Sequence, residues 1–166
     1  VVEYCQSSVF QEAFEQNDYL IIQIDTDRLN EPPFELNLNQ PVETIVAAVV
    51  EKFEVLMQTA FDANFWFQYR EKILFAVAVN EIECWFLPLY FKDNKASATN
   101  NCLHKLNTIL RKRDEKAINP AGKEYKYYDK LSRPFCKNKT LIPVSAKNPS
   151  FHIFLETLRH LFGAGA

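Results

Sequence analysis

Tyr19-Leu20-Ile21-Ile22-Gln23-Ile24-Asp25-Thr26-Asp27 is an apolar run that stops in two carboxylates two residues apart. Side chains alternate across a strand, so Leu20, Ile22 and Ile24 line one side and Ile21 the other. A run apolar on nearly both faces suits a central strand covered by helices on each side. Chemistry in open α/β sheets sits beyond the carboxyl ends of such strands, which is where Asp25 and Asp27 fall. Two hard oxygen donors so close together suit a divalent cation. The competing reading is an Asx turn, because Asp is a favoured turn residue.

A second apolar strand, Ile73 to Val79, leads into Asn80-Glu81-Ile82-Glu83-Cys84-Trp85-Phe86-Leu87, which reads as a helix beginning at the strand's end. If the two strands are parallel neighbours, Asp25, Asp27, Glu81 and Glu83 meet at one sheet edge. Bare carboxylates there would repel one another and raise each other's pKa, and a divalent cation removes that penalty. The alternative is that Glu81 and Glu83 are first-turn residues favoured by the helix dipole. Trp85 and Phe86, just after a buried strand, read as core.

The remaining elements follow from spacing and caps. Ser7 or Ser8 can cap a helix running to about Gln16, with Val9, Phe10, Ala13 and Phe14 at helical spacing. Residues 28–40 break every periodicity and read as a long loop beside the acidic pair, of a length that is uncommon unless functional or disordered. Pro41 opens a helix to about Phe61, with Ile45, Val49, Phe53 and Leu56 as its buried stripe. Further helices are expected at about 99–112, 123–132 and from Pro149 onward. Strands alternating with helices argue for an α/β fold with a largely parallel sheet flanked by helices.

The chain's 166 residues fit one domain. No stretch reaches the ~20 apolar residues of a membrane span, and no signal-peptide pattern opens it. Three glycines leave no room for a glycine-rich phosphate loop. Cys5, Cys84, Cys102 and Cys136 are scattered, and read as small buried hydrophobes in a reducing cytoplasm rather than as ligands or disulfide halves. The chain opens at Val1 in a strand-like Val-Val-Glu, from which a segment is expected upstream.

Charge is uneven. Residues 1–91 carry 15 acidic and 4 basic side chains, whereas residues 104–139 carry 11 basic and 4 acidic ones. The basic segment interleaves Tyr125, Tyr127 and Tyr128 with Lys123, Lys126, Lys130 and Arg133, a mixture that offers phosphates cations and bases rings. A solvated charged face is the competing reading. Ser145-Ala146-Lys147 copies the guanine-contacting loop of small GTPases. The absent phosphate loop, and Leu141 where a guanine-reading Asn-Lys-x-Asp needs its Asp, discount that reading. His104, His152 and His160 form no ligand spacing.

These motifs together resemble a Toprim-type fold, whose Asp-x-Asp after an apolar strand is matched by Asp25-Thr26-Asp27. More narrowly, the chain resembles a bacterial and phage-associated Toprim-like family of unknown function. The carrying residues are Glu81-Ile82-Glu83-Cys84-Trp85, Tyr128-Asp129-Lys130 and Asn148-Pro149-Ser150-Phe151-His152-Ile153-Phe154. Cys84 stands where that pattern has Ala. The glutamate that ends the first Toprim strand has no counterpart, since Glu3 lies too close to Asp25, and is expected upstream.

The resemblance implies Mg²⁺- or Mn²⁺-dependent phosphodiester chemistry on nucleic acid, DNA or RNA, often in phage defence. Asp25, Asp27, Glu81 and Glu83 would be the metal's ligands, with Asp25 and Glu81 catalytic, Glu81 as the next ligand or as the base that positions water. Lys123, Lys126, Lys130 and Lys147 would contact phosphates. A non-catalytic module acting with a protein partner such as an ATPase is the second expectation.

Overall fold

The computed structural model describes residues 7–122 and 124–163. Its α-carbons divide into two compact units: residues 1–24 with 29–77, and residues 25–28 with 78–166. Among the described residues the chain is mixed α/β and mostly helical, with a two-stranded parallel sheet.

In the first unit, α1 (Ser8–Gln16) precedes β1 (Leu20–Asp25), whose last residue belongs to the second unit. The cap is Ser7, whose Oγ accepts from Phe10 N–H at 3.2 Å. α2 (Val42–Ala60) buries Ile45, Val46, Val49, Phe53 and Met57, close to the expected stripe, while Leu56 is only half-buried. α3 (Ala63–Tyr69) starts at Asp62, whose Oδ1 accepts from the N–H groups of Asn64 and Phe65, both at 3.0 Å. A 3₁₀ turn (Arg70–Lys72) leads into β2 (Ile73–Ala78).

Aromatic rings fill this unit. Phe10 stacks on Phe61 at 5.8 Å, and Phe14 sits edge-on to Phe65 at 5.5 Å. Such pairs contribute about 0.5–1.5 kcal/mol each beyond the area they bury. The 28–40 loop folds back on itself, with Leu36 N–H donating to Leu29 O at 2.8 Å and Phe34 stacked on Phe53 at 5.4 Å. Packing therefore accounts for its order.

β1 corrects the expectation of a strand covered on both sides. Leu20, Ile22 and Ile24 turn inward, but Ile21 is 56% exposed and Gln23 is exposed. With β2 as its one neighbour among the described residues, β1 buries a single face.

The second unit begins where both strands end. Its helical part opens as a 3₁₀ segment (Ile82–Phe86) and becomes α4 (Leu87–Tyr90), with Pro88 in its first turn. Residues 83–88 are buried without a break, so Trp85 and Phe86 are core, as expected, while the segment starts as a 3₁₀ rather than an α-helix. A 3₁₀ turn (Asn94–Ser97), α5 (Cys102–Lys112), α6 (Tyr125–Ser132), a 3₁₀ turn (Arg133–Cys136), α7 (Asn138–Ser145) and α8 (Pro149–Phe162) follow. α7 covers the Ser145 stretch that imitates a GTPase loop, and Ser145 is buried within it. The core gathers Phe86, Leu87, Leu106, Leu110, Ile118 and Leu131 around a Cys84–Cys102 disulfide, Cα–Cα 4.9 Å. Each fully buried leucine contributes about 1.5–3 kcal/mol.

The cysteine expectation is thereby corrected. Cys84 and Cys102 are buried but bonded, because the 3₁₀ segment packs on the start of α5; Cys136 is exposed. Cys5 and Glu3 lie outside the described residues. Among the described residues no helix is long and apolar enough to cross a membrane.

Candidate functional site

The ends of the two strands are joined by a compact hydrogen-bond clamp. The N–H groups of Thr26 and Asp27 both donate to Asn80 O, at 2.9 and 3.0 Å, and Asn80 N–H donates to Thr26 Oγ1 at 2.8 Å. Asn80 turns the chain in the left-handed region, φ 70°, a conformation that Asn tolerates better than most residues. Thr26 is buried, so its hydroxyl serves the clamp rather than solvent. The clamp sets Asp25-Thr26-Asp27 beside Asn80-Glu81 at one end of the sheet, as expected for parallel neighbours. Asp25 is half-buried and Asp27 exposed.

Glu81 points at α5. Its Oε1 accepts from Leu103 N–H at 2.7 Å. The N-cap residue of that helix, Asn101 (φ 50°), makes no side-chain cap, so Glu81 caps the helix from another segment. A carboxylate there also meets the positive end of the helix dipole.

Glu83 is 0% exposed and takes a hydrogen bond from the Tyr128 hydroxyl on α6. That phenol is held far above its ordinary pKa. Its own burial is the largest cause, the bond to and charge of Glu83 come next, and the charges of Asp25 and Glu81 add to it. Three of the four predicted carboxylates thus act on one hydroxyl group, and the phenol stays protonated, able to donate. Asp27 is not among the groups that act on it.

Among the described residues no three His, Cys, Asp or Glu side chains stand close enough to hold a metal ion. The donor chemistry still fits Mg²⁺ of a particular kind. That ion commonly keeps its waters and takes one or two carboxylates, with substrate phosphates completing the shell. Asp25 and Asp27, at a strand end, carry oxygen donors of the type such a shell uses.

Two of the predicted cations face carboxylates other than the predicted four. Lys126 is salt-bridged to Glu124, which raises the lysine's pKa and lowers the glutamate's through their hydrogen bond. Lys130 faces Glu115 at 3.9 Å. Lys147 is exposed in the turn after α7, and Lys123 lies outside the described residues. Both lysines are solvent-exposed, and pairs at the surface add little stability.

Two features escaped the sequence reading. The first is a cavity of about 350 Å³ with Glu81, His104, Asn107 and Arg111 in its wall. Its signal was the seven-residue spacing of His104 and Arg111 on one helix face. The second is a buried polar network. Ser150 Oγ accepts from Trp85 Nε1 at 2.9 Å and donates to Asn148 Oδ1 at 3.1 Å, while Asn148 Nδ2 donates to Cys84 O at 3.3 Å. Asn148 Oδ1 also caps α8 by accepting from Phe151 N–H, and Phe151 stacks on Trp85 at 4.7 Å. The Trp85 and Asn148-Pro149-Ser150-Phe151 motifs are thus two halves of one structural joint. Comparison with known proteins finds no family, curated protein or solved structure that matches this chain.

Proposed function

We propose that the chain is a Toprim-like, Mg²⁺- or Mn²⁺-dependent nuclease that hydrolyses the phosphodiester backbone of nucleic acid. The observation that carries this reading is the Thr26–Asn80 clamp, which sets Asp25 and Asp27 beside Glu81 where two parallel strands end. Asp25 and Asp27 would hold the cation together with substrate phosphate. When bound, the cation supplies Lewis-acid stabilisation of charge on the attacking and leaving oxygens. Glu81, oriented by Leu103 N–H, would position the attacking water. Tyr128 retains its proton and donates it to a hydrogen bond with Glu83. A role in phage defence belongs to this reading through the resemblance.

A second reading is favoured by the hydrogen bonds that already engage Glu81 and Glu83. In it the chain is a non-catalytic module that binds nucleic acid or a partner such as an ATPase. The deciding experiment incubates plasmid, single-stranded DNA and RNA with Mg²⁺ or Mn²⁺, comparing wild type with Asp25→Asn and Asp27→Asn. Cleavage by the wild type that both variants lose is expected. Equal cutting by all three would overturn the nuclease assignment, and salt-dependent binding without cutting would favour the module.

A further inference from the structure

The cations best placed for nucleic acid lie on α5, not on α6. Lys105, Ile109 and Lys112 recur at i, i+4 and i+7 and share one stripe of that helix. With Phe91, Lys95 and His104 they line a cavity of about 210 Å³. Three lysine side chains line it, an aromatic ring and an aliphatic side chain add to its apolar wall, and no carboxylate-bearing residue contributes to it.

The charge there is not neutralised. Lys105 Nζ donates to Asn100 Oδ1 at 2.9 Å and to Asn100 O, both neutral acceptors. Lys95 Nζ lies 5.6 Å from the centroid of the Phe91 ring. Among the described residues none of Lys95, Lys105 and Lys112 forms an ion pair with a carboxylate, whereas Lys126 and Lys130 both face one. Cations grouped around a half-buried ring are the elements of single-strand recognition, in which phosphates meet ammonium groups and a base meets the open part of the ring. His104 also lines the larger cavity that holds Glu81 and Arg111, so the two cavities share a wall. A lone nucleotide would occupy one of them, and a continuous strand can use both.

We infer that this face of α5, with Phe91 and Lys95, is a track for single-stranded nucleic acid. One nucleotide sits against Phe91 and Ile109 with its phosphates on Lys95, Lys105 and Lys112, and the strand continues past His104 toward Arg111 and Glu81. The direction of the strand toward Glu81 rests on the nuclease reading.

The test is fluorescence anisotropy of the full chain with a labelled oligothymidylate and a matching oligouridylate, in EDTA so that cutting plays no part. Lys95→Gln/Lys105→Gln/Lys112→Gln should weaken binding at least about tenfold and flatten the salt dependence by about 2 logarithmic slope units, at roughly 0.7 per lost phosphate contact. Phe91→Leu, which keeps the apolar packing, should weaken binding severalfold with the slope unchanged. Lys126→Gln/Lys130→Gln, which removes the competing phosphate contacts on α6, should lose much less than the α5 triple variant. Thermal melts establish that each variant is folded.

Wild-type affinity in the triple variant, or a loss confined to the Lys126/Lys130 variant, would overturn the track. A mononucleotide that competes as tightly as the oligonucleotide would overturn a strand as the occupant. If the α5 variants lose binding while the wild type cuts nothing with Mg²⁺ or Mn²⁺, the track stands and the nuclease reading falls.

Discussion

Trp85 Nε1 donates a 2.9 Å hydrogen bond to Ser150 Oγ, a residue 65 positions further along the chain, and both side chains are buried. This bond ties the segment after β2 to the first turn of α8. Ser150→Ala would leave the indole N–H and Asn148 Oδ1 each short of a partner in a dry environment. A loss of about 1–3 kcal/mol is expected, read as a lower urea midpoint with unchanged slope. In a double-mutant cycle, Trp85→Phe and Ser150→Ala should be strongly non-additive. Additive losses would mean that the two residues act independently.

Glu81 separates a structural role from a chemical one. Gln retains an oxygen that can accept from Leu103 N–H, so Glu81→Gln should unfold close to wild type. Glu81→Ala should lose about 0.5–2 kcal/mol, the ordinary worth of a helix cap. If Glu81 takes part in hydrolysis, the Gln variant loses cleavage while keeping stability. A Gln variant as unstable as the Ala variant would show that charge, not acceptance, holds α5.

Alkali should loosen the second unit. Tyr128 and Tyr90 are both raised above the ordinary tyrosine value of about 10, each chiefly by burial. For Tyr90 the charge of Glu115 adds to this, and Arg113, 4.9 Å over its ring, opposes it. In the unfolded chain both phenols ionise near the ordinary value, while in the folded chain they resist. Their contribution is therefore fully present below about pH 10 and is lost as pH rises toward the folded values. Urea midpoints should fall above about pH 10, less steeply in Tyr128→Phe. A flat midpoint through that range would refute the prediction.

Reduction should destabilise the chain. The Cys84–Cys102 bond closes a loop of sequence separation 18, and a loop of that order contributes about 3 kcal/mol by restricting the unfolded chain. Dithiothreitol should lower the melting temperature of the wild type and leave Cys84→Ala/Cys102→Ala unmoved. Equal shifts in both would assign the effect elsewhere.

Magnesium should bind with substrate rather than before it. Without a group of three ligands among the described residues, Mg²⁺ alone is expected to change the melting temperature little. Mg²⁺ with a non-cleavable phosphorothioate oligonucleotide should raise it further than the oligonucleotide alone, and Asp25→Asn should remove that increment. A large shift from Mg²⁺ by itself would reveal a preformed cage.

The sequence by itself determined the local elements. β1 and β2 were legible from their apolar runs, α2, α5 and α8 from the 3.6-residue recurrence of apolar side chains, and Ser7 and Pro149 as helix starts. Each depends on residues within a turn or two of one another, and near neighbours in sequence are near neighbours in space. The shared end of Asp25 and Glu81 was legible as well, because parallel strands finish on one edge. Tertiary structure decided the rest. It left Ile21 exposed, joined Cys84 to Cys102, buried Glu83 under a hydroxyl group 45 residues away, and put Glu115 opposite Lys130 while leaving Lys105 and Lys112 on α5 without a carboxylate among the described residues. Whether a side chain is covered or a charge answered depends on which distant segment packs against it. That choice is made by the summed burial of whole faces, which no local spacing encodes.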